Sequence, residues 1–331
     1  MEKHYDVTAL GELLIDFTEN STSPQGNPLL EANPGGAPCN VLALLQRLGH
    51  KTAFIGKVGQ DMFGDQLETA LRETGIDTAG LIRDGEIHTT LAFVHTLPGG
   101  DRDFSFYRKP GAEMMLTKEE IPEALIRNTR IFHFGSLSMT DEPCRSATRY
   151  AVELARKEGA VLSFDPNLRE PLWESLETAR EMIDYGMRHC DILKISDNEV
   201  RWFTGIEDLR EGARQLLREY RPGLLLLTLG KEGSLAFAGD MEVYAPPFLQ
   251  EGTIETTGAG DTFCGSVLHY VLEYGLDRLT GRAGGTNEGE PDEALLREML
   301  SFANAAAAVI TTRRGALRVM PSAEEIFRVM D

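Results

Sequence analysis

Short apolar runs rich in β-branched residues alternate with amphipathic runs of helical period along most of the chain. That alternation restricts the fold more than any other feature. Residues 7–11, 52–58, 131–135, 161–165, 192–196, 224–229 and 234–238 read as strands, and helical-period stretches lie at 40–48, 64–74, 143–158, 174–188 and 208–220. Strand then helix, repeated, is the pattern of an α/β fold with a doubly wound, mainly parallel sheet and helices on both faces. In 40–48 the apolar positions 41, 42, 44, 45 and 48 share a face, and Gly49 is a good helix stop. A chain of 331 residues with 42% apolar content can fill one large core, so a single domain spanning 1–331 is expected. One region breaks the alternation: 89–96 and 103–107 read as two strands joined by the turn signal LPGGDR, with no helix between. The stretch 14–34, rich in Ser, Pro, Asn and Gly, also lacks helical period, so a small β-lid formed by about 14–34 and 87–112 is expected within that domain. The polar, Gly-rich run 280–293 reads as an exposed loop between helices.

The formal charge of −19 repels nucleic acid and anionic membrane surfaces, so neither is expected as a partner. A nucleotide ligand stays open, because backbone N–H groups, a helix start and a metal hold phosphate without entering a charge count. No apolar run approaches the roughly 18 residues that a membrane span needs, and the start lacks a basic-then-apolar signal, so a cytoplasmic protein is expected. Cys39, Cys144, Cys190 and Cys264 are widely spaced and form no CxxC pair, which argues for bystander thiols over disulfides or a zinc site.

The strongest chemical signal is TTGAGDTFCGSVLHYVL at 256–272, where Gly258 and Gly260 precede an apolar-periodic run and so open a helix. Free N–H groups of Ala259, Gly260 and Asp261 at such a start can hold a charged phosphoryl group, and Asp261 beside it can accept a hydroxyl proton. A lone GxGD is more often a plain turn, and the neighbouring motifs decide against that reading here. No Walker GxxxxGK run followed by Ser or Thr exists, and GAGDTFCG has neither the spacing nor the place of a dinucleotide-binding GxGxxG.

A second motif, NPGGAPCN at 33–40, leads into a helix: Gly35 and Gly36 allow close backbone approach, Asn40 offers donor and acceptor to hydroxyls, and with Asp16 they outline a polyol site. Its bland counterpart is a Gly-Gly turn and a cap-like Asn. A third, SFDPNLR at 163–169, ends a strand in Asp165 and Asn167 and carries Arg169, suited to phosphate. A fourth, LKISDNE at 193–199, places Lys194 for phosphate and Glu199 for metal-bound water at another strand end.

With these residues in hand, the chain resembles the ribokinase-like (PfkB) sugar kinases over its whole length, and among them the fructokinases. The likeness rests on TTGAGD with GELLIDF (11–17), NPGGAPCNV (33–41), FYRKPGAEMML (106–116), FHFGSLS (132–138), DPNLREPLW (165–173), LKISDNE (193–199), TLGKEGS (228–234) and FANAAAAVITTRRGAL (302–317). The resemblance implies an ATP-dependent kinase of the fructose 6-hydroxyl, with Asp261 as base and the amides of Gly258, Ala259 and Gly260 as anion hole. It implies Asp16, Gly35, Gly36, Asn40, Arg108 and Arg169 for the sugar or transferred phosphate, with Arg108 coming from the lid. Lys194, Thr228, Gly230 and Asn304 are implied for the nucleotide, Glu199 for Mg²⁺ through water, and Glu255, Thr257 and Gly315 for K⁺. Glu255 stands where the family commonly has Asp, and Ser196 where ribokinases have Asn. Pairing of lids across a homodimer is also implied, with Leu91, Phe93 and Phe104 as apolar candidates. Ribose, 2-keto-3-deoxygluconate, aminoimidazole riboside or a nucleoside are the alternative substrates. A non-catalytic sugar- or nucleotide-sensing protein and a dehydrogenase are readings from other classes.

Overall fold

The leucine run 224–227 shows why the main sheet is covered on both sides. In the computed structural model, which describes residues 3–96, 102–250, 252–282 and 289–331, Leu224 and Leu226 belong to one core while Leu225 and Leu227 belong to the other. Successive side chains of a strand point to opposite faces, so a strand buried twice reads as a near-continuous apolar run.

The strands are β1 Tyr5–Leu10, β2 Leu14–Thr22, β3 Pro28–Gly35, β4 Thr52–Gly59, β5 Asp77–Asp84, β6 Leu91–Thr96, β7 Arg102–Tyr107, β8 Thr129–Gly135, β9 Val161–Asp165, β10 Ile192–Ser196, β11 Leu224–Thr228, β12 Ser234–Ala238 and β13 Met241–Ala245. The helices are α1 Ala37–Arg47, α2 Met62–Thr74, α3 Glu123–Arg127, α4 Cys144–Lys157, α5 Leu176–His189, α6 Asp197–Thr204, α7 Leu209–Tyr220, α8 Ala259–Tyr274, α9 Leu276–Thr280, α10 Glu293–Ile310 and α11 Ala323–Met330.

Nine strands form the main sheet in the order β13-β12-β11-β10-β9-β8-β1-β4-β5. It is parallel from β11 to β5 and antiparallel only where β12 and β13 extend one edge. α1, α8 and α10 pack on one face, and α4, α5 and α7 on the other. The chain leaves β1 for β4 on one side and later returns to pair β8 on the other. The loops after β1 and β8 therefore part over a crevice at the carboxyl ends of the strands.

A second sheet has the order β3-β2-β6-β7, with β2 and β6 parallel and both hairpins antiparallel. It joins the two segments expected to pair as a small lid. Phe93 of this sheet stacks on Phe17 at 5.0 Å, and Phe17 meets Phe63 of α2 edge-on at 5.6 Å. Phe93 is thus used within its own chain. The turn residues 97–101, the side chain of Phe104 and residues 283–288 of the loop expected at 280–293 lie outside the described residues.

Two strands carry no sequence expectation, β5 and β13. Both lie at sheet edges, where one flank is solvated and the apolar signal is diluted: β5 reads DTAGLIRD and β13 MEVYA. Cys39, Cys144, Cys190 and Cys264 are buried free thiols. Among the described residues, no helix is long and apolar enough to cross a membrane.

Candidate functional site

The local chemistry of each strand end builds one wall of a cleft of about 750 Å³. Glu12 follows β1, Asn167 and Arg169 follow β9, Lys194 and Ser196 come from β10, Glu199 from the first turn of α6, and Thr228 ends β11. The small sheet supplies another wall through Leu14, Asp16, Thr18, Val94 and Phe106. Thr253–Gly258, Gly260, Asp261 and Gly315 close the floor.

Helix α8 begins as its glycines dictate. Gly258 is the N-cap residue at φ 77, a left-handed conformation that a side chain resists, and an added Cβ there would lie 2.9 Å from that of Ala316. The Ala259 N–H donates to the Thr256 carbonyl at 3.2 Å, closing the tight turn. Among the described residues, the N–H groups of Gly258, Gly260 and Asp261 donate to no protein acceptor. Asp261 stands in the first turn, and its Oδ2 accepts a hydrogen bond from Asn40 Nδ2 at 2.7 Å.

Asn40 reaches Asp261 because α1 starts at a strained point. Gly36, its N-cap residue, has φ 139, and a Cβ added there would meet the Glu12 carbonyl oxygen at 2.3 Å. No side chain of α1 caps the helix, and Glu12 Oε1, 25 residues upstream, accepts from Ala37 N at 2.9 Å instead. We expect Gly36→Ala to cost at least about 1–3 kcal/mol from backbone strain alone, read as a lower urea midpoint together with weaker sugar affinity. Among the described residues, Asn40 Oδ1 is buried and finds no donor, an acceptor suited to a ligand hydroxyl.

Burial dominates the electrostatics. It pushes Glu12 up to about 7 against the pull of Ala37 N–H and the Arg108 guanidinium. It pushes Asp16 up to about 7, with Glu255 adding to the effect and Arg169 opposing it. Asp165 rises to about 6 although Lys194 pulls it down. Asp261 is also raised by burial, while the Asn40 hydrogen bond, Lys194 and Arg169 favour its ionised form. Lys194 is buried, and its Nζ lies 2.9 Å from Asp165 Oδ2. Burial works against its charge, but Asp165 and Glu199 outweigh that and raise it above its ordinary value. An added Cβ at Gly260 would lie 3.1 Å from Lys194 Nζ, which places the ammonium directly beneath the start of α8.

The remaining residues expected in the site differ in where they lie and in the partners they hold within the protein. Arg108 lies just past β7 and borders the cleft, but its guanidinium is held inside the protein: Nε binds Glu113 Oε1 at 2.7 Å, Nη1 binds Thr140 Oγ1 at 3.0 Å and Nη2 binds the Leu137 carbonyl at 2.8 Å. Gly35 is not in the lining and instead packs on Asp16, whose Oδ2 would be 2.6 Å from an added Cβ. Asn304 and Gly230 also lie outside the lining. The Asn304 carboxamide donates to the carbonyls of Ala245 and Pro246 and accepts from Ser234 Oγ, behind the wall that Thr228 forms by pairing with Ser234. Arg169 is exposed at the mouth, and its Nη1 donates to the Leu168 carbonyl at 3.0 Å. Glu199 caps α6: its Oε2 accepts from Ser196 N and Oγ, and its Oε1 from Leu168 N at 2.8 Å. Glu255 Oε1 accepts from Gly315 N at 3.1 Å, and Thr257 lines the same floor.

Transferring a phosphoryl group to an alcohol takes a buried carboxylate to receive the hydroxyl proton, unpaired amides for the migrating charge, and a cleft that surrounds both. These features define a phosphotransferase with an alcohol acceptor. The chain belongs to the pfkB family of carbohydrate kinases, whose family model matches residues 5–323. It is 39% identical over 329 residues to fructokinase-1 of Zea mays, covering 98% of this chain and 97% of the maize protein. It is 40% identical over 318 residues to a probable fructokinase-3 of Arabidopsis thaliana, covering 96% and 88%. Among solved structures, fructokinase of Xylella fastidiosa with bound ATP superposes with a TM-score of 0.87 at 30% identity, covering 98% of both chains. Fructokinase of Vibrio cholerae O395, in a form with fructose, ADP and calcium bound, gives 0.85 at 27% identity, covering 99% of both.

Three contributors have no expectation from the residues alone. Glu12 acts across 25 residues as the cap of α1, the Lys194–Asp165 pair joins two strand ends, and Arg108–Glu113 is a buried ion pair. Glu12 is the one with a visible signal, a lone acid directly after an apolar strand.

Proposed function

We propose that the protein is an ATP-dependent fructokinase in which Asp261 accepts the proton of the sugar 6-hydroxyl. The observation that carries this reading is the 2.7 Å hydrogen bond from Asn40 to Asp261 at the unpaired amides of the α8 start, inside an acid-lined cleft. The hydroxyl oxygen attacks the terminal phosphorus as the bond to the ADP oxygen breaks, and the proton passes to the Asp261 carboxylate. Asn40 fixes the orientation of that carboxylate. The amides of Gly258, Gly260 and Asp261, with Arg169 at the mouth, meet the charge on the transferring group. Asp16, Gly36 and the free acceptor of Asn40 hold the sugar, with Gly35 keeping Asp16 in place. Arg108 sets the wall beside Glu12. Thr228 and Lys194 border the nucleotide, backed by Gly230 and Asn304. The small sheet acts as a lid inserted in a single domain, and closing it excludes water. The relatives named fructokinase and the fructose- and ADP-bound neighbour support this substrate pair.

Glu199 fits an outer-sphere magnesium role, since its Oε1 takes a single protein hydrogen bond and retains capacity for a water. Magnesium, when bound with the nucleotide, neutralises phosphate charge. Glu255, Thr257 and Gly315 offer oxygen-bearing groups on one floor for K⁺, and faster turnover in KCl than in a tetramethylammonium salt, lost in Glu255→Gln, is the result expected of them. The exposed Leu29, Leu30 and Tyr107 on the small sheet support a homodimer, which sedimentation tests.

A coupled ADP-release assay over fructose, ribose, 2-keto-3-deoxygluconate, aminoimidazole riboside and a nucleoside tests the substrate. Fructose is expected to lead ribose by at least about tenfold in kcat/KM. A riboside in the lead would replace fructose, and no release with any sugar would remove the kinase reading.

The pH dependence follows from Asp16. Its pKa in the fold, about 7, lies above the ordinary 3.8, so its contribution to stability is complete below the lower value and disappears as pH rises through the upper one. Asp16→Asn is therefore expected to raise the melting temperature at alkaline pH, a gain that fades on acidification through 7 and is gone near 4, while sugar turnover falls steeply. Wild-type kcat/KM for sugar is expected to drop on the acid side well above the ordinary carboxylate range. Melting curves and rate profiles across pH read both effects.

A further inference from the structure

We propose that His50, His269 and Glu273 form a binding site for a divalent transition-metal ion of the zinc class, at the amino-end side of the main sheet, away from the cleft. His50 follows the turn that ends α1, with its N–H donating to the Leu45 carbonyl at 3.0 Å. His269 and Glu273 lie four residues apart on α8 and so share one face of its last turns. His50 Nε2 and His269 Nδ1 are 2.7 Å apart, His50 Nε2 and Glu273 Oε1 are 4.0 Å apart, and one ligand atom from each of the three residues falls within 4.8 Å of the others.

Two imidazole nitrogens this close share a single proton as a hydrogen bond. An ion takes the place of that proton when both rings carry their N–H on the outer nitrogen. The outer nitrogen of His50, Nδ1, lies 3.8 Å from Asp6 Oδ2. That is beyond hydrogen-bond reach, and a small turn of the ring would bring the Nδ1–H to the carboxylate, the contact that fixes the tautomer of a ligating histidine. Metal–nitrogen bonds of about 2.0–2.1 Å at tetrahedral angles need the nitrogens roughly 3.3 Å apart, so the pair opens by about half an ångström. Glu273 is exposed and supplies both the third ligand and the path of entry, and water completes the set.

The surroundings favour an ion of this kind. Burial favours the neutral form of both imidazoles, the form that a metal ion takes. The carboxyl end of α8 stabilises positive charge. Arg130, the neighbouring cation, is occupied by Asp6 Oδ1 at 3.0 Å and the Leu272 carbonyl at 3.1 Å. Two nitrogens and one carboxylate select zinc-like ions over magnesium or calcium. The site ties the carboxyl ends of α1 and α8, the two helices whose opposite ends carry Asn40 and Asp261.

The test titrates ZnCl₂ into the tag-free, metal-stripped full chain in excess MgCl₂, which occupies the cleft carboxylates. One equivalent of zinc is expected to bind and raise the melting temperature. His269→Gln and Glu273→Gln are each expected to weaken that binding at least about tenfold, and Asp261→Asn to leave it unchanged. Glu273 is exposed, so its replacement separates loss of a ligand from loss of fold. Visible absorption of bound Co²⁺ in the wild type, absent in His269→Gln, gives a second readout. Zinc binding that survives both replacements, binding that follows Asp261 instead, or no binding at all overturns the site.

Discussion

Asp261→Asn is expected to lower kcat by about 10²–10⁴ and leave the dissociation constant for ATP nearly unchanged, the range that loss of a positioned general base produces. The substitution keeps the shape of the side chain. Its carbonyl can still accept from Asn40 Nδ2, now 2.7 Å from Asp261 Oδ2, so the first turn of α8 stays in place and only proton acceptance is removed. Asp261→Ala is the harsher control, because it also strands the Asn40 amide in a buried position. Single-turnover rates and nucleotide binding measured on the same preparations separate chemistry from affinity. Turnover near the wild-type value in either variant would move the base to another residue.

The second large effect falls on stability. Lys194→Met leaves Asp165, buried and 2.9 Å from the lost ammonium, without a counter-charge, and removing one partner of a buried pair costs about 3–5 kcal/mol. Without the lysine, the Asp165 pKa climbs further above its present value of about 6. The cost is therefore greatest at alkaline pH and shrinks on acidification, as Asp165 takes up a proton in the fold before the unfolded chain does. Urea unfolding at about pH 8 and about pH 5 reads the difference. Replacing both residues by apolar ones is expected to recover most of the loss, since burying neither charge removes the penalty. A loss that does not change with pH would mean that packing, not the pair, gives Lys194 its value. Turnover should fall as well, because the ammonium underlies Gly260 at the amides that meet the phosphoryl group.

Where the chain shows its structure plainly, a local physical cause is at work. β9, β10 and β12 begin and end where their apolar runs do, because each is buried along nearly its whole length, and the buried polar residues within them, Ser163, Asp165, Lys194 and Ser234, are each paired inside the protein. Helix α8 starts at the glycines of TTGAGD, because glycine takes the left-handed turn at Gly258 without strain and leaves room for the Ala316 side chain. The edge strands β5 and β13 were hidden for the opposite reason, being half-solvated and mixed in composition.

The site divides in the same way. Asp261, Asn40, Asp16, Lys194 and Glu199 stand out in sequence because each sits beside a strand end or a glycine turn. That Asn40 touches Asp261 across 221 residues, that Glu12 caps a helix 25 residues away, and that Arg108 is locked to Glu113 instead of lying open are facts of the folded chain. Periodicity, turn chemistry and the run of kinase motifs thus determined the class of fold, the family and the place of the chemistry, since these depend on neighbours along the chain. Which amide of the glycine turn is left free, which cations are already paired, and how far burial lifts each carboxyl were decided only in three dimensions. They depend on desolvation and on partners brought together across the sheet, quantities with no local trace in a string of residues.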